Sequence, residues 1–93
     1  MSDRVAIAGE VALDSSADIL DRISALHFLA DLDPESGLMV ALAATENSDQ
    51  LPGILTCLGK EVARISSSHR WLTEFEMRNM AGPAFDAYCD YLE

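Results

Sequence analysis

The sequence predicts an all-α protein, a compact bundle of four or five short helices with a short extended arm at its amino terminus. Apolar residues make up 49% of the 93 residues and recur at helical spacing. Capping residues and the Gly82-Pro83 step divide the apolar segments at intervals typical of short helices. Because a chain of this length forms one hydrophobic core, we expect a single helical domain over residues 1–93.

The chain combines this apolar content with a strongly acidic charge. Asp and Glu number 16 against 6 Lys and Arg, which gives a formal net charge of -10. Disordered acidic chains are poor in apolar residues, so the composition indicates a folded domain. Productive contacts with phosphate groups come from clustered Lys and Arg, so we expect no direct binding of nucleic acid.

The first thirteen residues have the least regular pattern. Residues 5–13 alternate only weakly between apolar and polar, and Gly9 interrupts them. This pattern favours an extended arm or a short edge strand over a helix. We therefore expect the extended arm at residues 1–13, with the first helix after it.

The first predicted helix starts at Ser15 or Ser16, with a serine cap, and ends at Ala30. Asp18 and Asp21 lie near its positively polarised end, where carboxylates are favoured. One stripe of this helix faces the core. The stripe comprises Ile19, Ile23, Leu26 and Ala30.

The second and third predicted helices form the centre of the bundle. Asp33 as N-cap and Pro34 at the first helical position start a helix over 34–45, which is apolar around most of its circumference. The third helix, from Leu51 to Ile65, shows the clearest apolar stripe, and Gly59 within it permits close approach of another helix. The stripe comprises Leu51, Ile54, Leu55, Leu58, Val62 and Ile65.

Two further helices follow a serine triplet. Thr73 and Glu76 have the spacing of a capping box, which predicts a short helix ending near Ala81. Gly82 and Pro83 then stop this helix and start a fifth, which should dock on the core through one apolar face. That face comprises Phe85, Tyr88, Cys89 and Leu92.

No pattern in the sequence indicates a catalytic, cofactor or metal site. The four soft ligands, Cys57, Cys89, His27 and His69, are scattered singly without the paired spacing of metal sites. No nucleophile motif or phosphate loop is present, so we expect a protein that is not an enzyme. The sequence has no secretory pattern and no apolar run long enough to cross a bilayer, so we expect a cytoplasmic location.

The candidate binding residues are aromatic and acidic. On the first helix Asp14, Asp18, Asp21 and Phe28 avoid the core stripe, and interface hot spots favour an aromatic residue ringed by polar groups. Phe28 has an equally plausible alternative, which is burial under the arm or the fifth helix.

Trp71 and Tyr91 are the remaining candidates for partner contact. Trp71 follows a cation, Arg70, yet a single Trp in a small domain more often fills the core or a junction. Tyr91 lies off the main stripe of the last helix, where a solvated helix end is the simpler interpretation.

These observations support three functional hypotheses. The first is a non-catalytic helical protein that binds a basic protein partner and modulates or inhibits it. The second is a nucleic-acid mimic, of the phage or anti-defence type, that inhibits a DNA- or RNA-binding complex through its carboxylates. The third is a structural homodimer whose apolar second helix forms the contact.

Overall fold

The computed structural model describes residues 3–92, and it describes side chains from residue 4 onward. These residues form six α-helices joined by short loops. They are α1 (Asp3–Leu13), α2 (Ile19–Leu32), α3 (Pro34–Thr45), α4 (Pro52–Ser67), α5 (Glu74–Asn79) and α6 (Gly82–Leu92). No strand occurs over these residues, so the predicted all-α bundle is confirmed. Its helices number one more than the largest predicted count because the amino-terminal segment is also helical.

The extended arm predicted at the amino terminus is wrong. Residues 3–13 form α1, while Met1 and Ser2 of the predicted arm lie outside the described residues. α1 packs against α2 and α3 and buries Ala8 and Ala12, which are four residues apart. Burial of this small alanine face outweighs the weak helical preference of the segment.

α2 begins later than predicted, because the turn before it is closed by side chains. Asp14 Oδ1 accepts hydrogen bonds from the Ser16 amide at 2.9 Å and the Ser16 hydroxyl at 2.6 Å. Asp18 is the N-cap, and its carboxylate accepts a bond of 2.8 Å from the Leu20 amide. The predicted serine cap is therefore wrong, and the helix starts at Ile19.

The inward face of α2 contains a buried arginine that the apolar pattern did not predict. Arg22 is 1% exposed. Its Nε donates to the Ala12 carbonyl oxygen at 3.0 Å, and its Nη1 donates to Gln50 Oε1 at 2.7 Å. Gln50 in turn donates to the Ala44 carbonyl oxygen at 2.8 Å. Arg22 thus joins the ends of α1 and α3 to the loop before α4.

α3 matches its prediction. Asp33 caps it by accepting bonds from the amides of Glu35 and Ser36, and Pro34 occupies the first helical position. Leu38 and Ala41 are fully buried, since α3 packs against α1, α2 and α4. The prediction of a central, widely covered helix is confirmed.

α4 and α6 share the most extensive helix contact of the bundle. A Cβ atom placed on Gly59 would lie 2.1 Å from the Ala84 carbonyl oxygen, so the expected close approach at Gly59 is confirmed. Leu55, Leu58, Val62 and Ile65 of the predicted α4 stripe are buried, and Ile54 is half-buried. Leu51 is instead 69% exposed, because it lies at the N-cap position outside the helix.

α5 carries the predicted capping box. The Thr73 hydroxyl oxygen accepts a bond of 3.1 Å from the Glu76 amide, and Glu76 Oε1 accepts one of 2.9 Å from the Thr73 amide. The helix ends at Asn79, two residues before the predicted end, because the Ala81 amide donates to the Thr45 carbonyl oxygen at 2.9 Å. α6 then docks on the core as predicted, with Tyr88 buried.

We expect Gly59→Ala to lower the free energy of unfolding by about 1 to 3 kcal/mol, because the added methyl group overlaps the backbone of α6. Gly53→Ala in the same helix is the matched control, since nothing lies within 4 Å of a Cβ atom there. The control should change stability by less than about 1 kcal/mol. Urea denaturation of both variants measures the difference, and equal midpoints would contradict the close α4–α6 contact.

Candidate functional site

The outward side of α2 forms a continuous surface that joins apolar and acidic residues, here called the outer α2 face. At 3.6 residues per turn, its apolar members Leu20, Phe28 and Leu32 fall within an arc of about 120°. Leu20 is 73% exposed, Leu32 is 59% exposed and Phe28 is 36% exposed. The face comprises Leu20, Asp21, Ser24, Phe28, Asp31 and Leu32.

Every charged side chain of the outer α2 face is an acid. Asp21 and Asp31 are exposed, and neither takes part in a salt bridge within residues 4–92. The one Lys or Arg of α2 is Arg22, which is buried on the opposite side. His27, at the edge of the face, lies 2.8 Å from Glu61. The face can therefore offer apolar contact and unpaired negative charge together.

The acidic residues predicted on the first helix divide into two groups. Asp14 lies in the turn before α2, where hydrogen bonds from Ser16 lower the pKa of its carboxyl group. Asp18 caps α2. Both are exposed but have local structural roles, whereas Asp21 lies on the same side of α2 as Phe28, about two helical turns before it. Phe28 is 36% exposed. It is therefore neither buried, as one interpretation of its pattern predicted, nor fully exposed, as the other predicted.

A second surface is organised by Arg70, whose guanidinium binds two carboxylates. Nε and Nη2 donate to the two oxygens of Glu35 at 2.9 and 3.0 Å. Nη1 and Nη2 donate to the two oxygens of Glu76, both at 2.9 Å. His69 Nε2 also lies 2.8 Å from Glu35. This cluster, here called the Arg70 brace, connects α3 with α5.

The Arg70 brace shifts the titration of both carboxylates. Hydrogen bonds from Arg70, and for Glu35 also from His69, lower the pKa of Glu35 to about 2. Hydrogen bonds from Arg70 lower the pKa of Glu76 to about 2 as well. The same bonds raise the pKa of Arg70. All three side chains therefore stay charged at neutral pH.

Trp71 lies outside the core, so the interpretation of Trp71 as a core or junction plug is wrong. It is 76% exposed, and its carbonyl oxygen accepts a bond of 3.1 Å from Arg70 Nη1. The next residue, Leu72, is 7% exposed and fills the core at this position instead. Trp71 borders a shallow depression formed with residues 66–70.

A groove separates α3 from α5 beside the Arg70 brace, here called the α3–α5 groove. Its volume is about 300 Å³. Met39 and Phe75 are its exposed apolar residues, at 49% and 74%, and Leu42 is buried beneath them. The remaining lining residues are Ala43, Glu46, Thr73, Glu76 and Asn79. Sequence reasoning did not identify Phe75, although the capping box that starts at Thr73 fixes its position on α5.

Tyr91 belongs to neither surface. It is 48% exposed on the last turn of α6, a helix that packs mainly on α4. Of the predicted binding residues, Asp21 and Phe28 therefore share one surface, the outer α2 face, whereas Trp71 and Tyr91 lie elsewhere.

We expect the free energy of unfolding to fall as the pH decreases from about 4.5 to about 2. Glu35 and Glu76 have pKa values of about 2 in the folded chain against an ordinary value of 4.5, so the unfolded chain binds more protons in this interval. Arg70→Gln should reduce this loss, because it removes the main cause of both shifts. Urea denaturation at about pH 6 and about pH 3 measures the difference.

Arg78→Gln is the matched control for the Arg70 brace. Arg78 pairs with Glu74, and both side chains are 74% exposed, so solvent screens this pair. This variant should keep the pH dependence of the wild-type chain. An equal loss of stability in the wild-type and Arg70→Gln chains would contradict the role assigned to Arg70.

Within the described residues, no group of three or more His, Cys, Asp and Glu side chains is placed to hold a metal ion. None of the helices described is both long and apolar enough to cross a membrane. Comparison with protein-family models, with curated proteins and with solved structures gives no match for this chain.

Proposed function

We propose that this chain is a non-catalytic protein that binds a basic protein partner through its outer α2 face and modulates or inhibits that partner. One observation carries the proposal. Leu20, Phe28 and Leu32 are exposed on a helix side whose charged groups, Asp21 and Asp31, are all acidic and unpaired within the described residues.

The chemistry of this face defines the partner. Burial of Leu20 and Phe28 removes apolar surface from water, which contributes about 25 cal/mol per Å² buried, and Leu20, at 73% exposed, has more surface left to bury than Phe28, at 36%. The carboxylates around them favour Lys and Arg and disfavour acidic surfaces. The matching partner surface is an apolar stripe flanked by basic residues, as on a basic amphipathic helix.

The charge of the whole chain supports the same partner. A net charge of -10 attracts a cationic partner over several ångströms and accelerates association at low salt. Once the complex forms, the apolar contacts between Leu20, Phe28 and the partner persist at high salt. A complex of this type therefore forms more slowly at high salt and retains part of its affinity.

The test is an affinity pull-down of the tagged chain from its native lysate, with and without nuclease and at low and high salt. We expect the tagged chain to capture a basic protein, and this capture should not depend on nucleic acid, so it persists after nuclease treatment. The variant Phe28→Ala/Asp21→Lys/Asp31→Lys should weaken its binding at least about tenfold, since hot-spot truncations cost 2 kcal/mol or more. Asp18 is left unchanged because its carboxylate caps α2.

The matched control is Asp86→Lys/Asp90→Lys, which makes the same change in net charge with two exposed acids of α6. It should keep most of the affinity. Equal losses in the two variants would mean that net charge alone directs binding, and unchanged binding in both would contradict the assigned face. A captured protein that exchanges competitively with nucleic acid would favour the mimic hypothesis, and recovery of the bait alone as a dimer would favour the homodimer.

A further inference from the structure

The two helices that form the α3–α5 groove are held together by hydrogen bonds near each end of the groove. The Arg70 brace connects the start of α3, at Glu35, to α5 at Glu76. Beyond the other end, the Ala81 amide donates to the Thr45 carbonyl oxygen at 2.9 Å. Because both sets of hydrogen bonds form within the chain, the groove is open without a partner. Binding therefore loses less conformational entropy than it would if the groove had to form first.

The two sides of the groove are apolar and exposed. Met39 of α3 is 49% exposed and Phe75 of α5 is 74% exposed. Arg70 Nη2 lies 3.9 Å from Met39 Sδ, so the brace also contacts this wall. An aromatic ring and a thioether on facing helices suit the insertion of one bulky apolar side chain.

The charge near the groove selects a basic occupant. Glu76 is satisfied by Arg70 and Thr73. Glu46, at the end of α3, is exposed and takes part in no salt bridge within residues 4–92. A cation beside the inserted side chain would therefore find an unpaired carboxylate at Glu46.

The groove is large enough for a short peptide segment but too small for a whole helix. Its volume of about 300 Å³ lies at the lower limit of typical ligand pockets, which hold a few side chains. We propose that the α3–α5 groove binds a short basic peptide segment of another protein. One bulky apolar side chain of that segment inserts between Met39 and Phe75, and a neighbouring Lys or Arg pairs with Glu46.

This inference uses no residue of the outer α2 face, so it stands or fails independently of the function proposed for that face. The probe is a displayed library of random dodecapeptides, selected on the immobilised full chain. Enriched peptides should share a Phe, Leu, Met or Trp within a few residues of a Lys or Arg. The dissociation constant of an enriched peptide is then measured by fluorescence polarisation.

Phe75→Ala and Glu46→Lys should each weaken the peptide at least about tenfold. Both side chains are exposed, so the folded state tolerates these changes, and thermal unfolding of each variant checks this. Leu20→Ala is the matched control, because Leu20 is 73% exposed against 74% for Phe75 and lies on the outer α2 face. It should leave the dissociation constant unchanged.

Failure to enrich any shared pattern, or enrichment of peptides without a cation, would contradict the assigned occupant. Peptides that lose affinity in Leu20→Ala and keep it in Phe75→Ala bind the outer α2 face. That outcome would overturn the groove assignment while supporting the proposed function.

Discussion

The burial of Arg22 connects the stability of this fold with the charge of its surface. Its guanidinium donates to the Ala12 carbonyl oxygen and to Gln50, so it holds the end of α1 and the loop before α4 against α2, and Gln50 in turn binds the end of α3. Burial lowers the pKa of Arg22, and the charge of Asp14 opposes that shift. The inward position of Arg22 also leaves the outward side of α2 without a basic residue, and the proposed binding chemistry depends on that arrangement.

Other cations of the chain also interact with groups of the same chain. Of the 6 Lys and Arg residues, Arg22 is buried, and Arg64, Arg70 and Arg78 bind carboxylates of the same chain. Arg70 is the most heavily used of these, because it binds two carboxylates and shapes the α3–α5 groove. Within residues 4–92, Arg4 and Lys60 are the cations that are neither buried nor paired with a carboxylate, while Asp21, Asp31 and Glu46 are exposed acids that no salt bridge engages.

The sequence predicted those features whose signals are local. The caps at Asp33 and Thr73 and the apolar stripe of α4 depend on spacing within one helix, and these predictions are confirmed. Helix α1 was missed because its stability comes from burying Ala8 and Ala12 against other helices. The exposure of Trp71 also depends on tertiary packing, since the neighbouring side chain occupies the core. Periodicity within a single segment contains no information about such contacts.

The central claim is that the partner's basic groups lie against the carboxylates of the outer α2 face. Zero-length carbodiimide cross-linking tests it most directly, because this reagent joins a carboxylate only to an amine in contact with it. With the captured partner, mass spectrometry of the cross-linked peptides should find Asp21 and Asp31 joined to lysines of that partner. Cross-links confined to the carboxylates of α6, such as Asp86, with none from α2, would contradict the account.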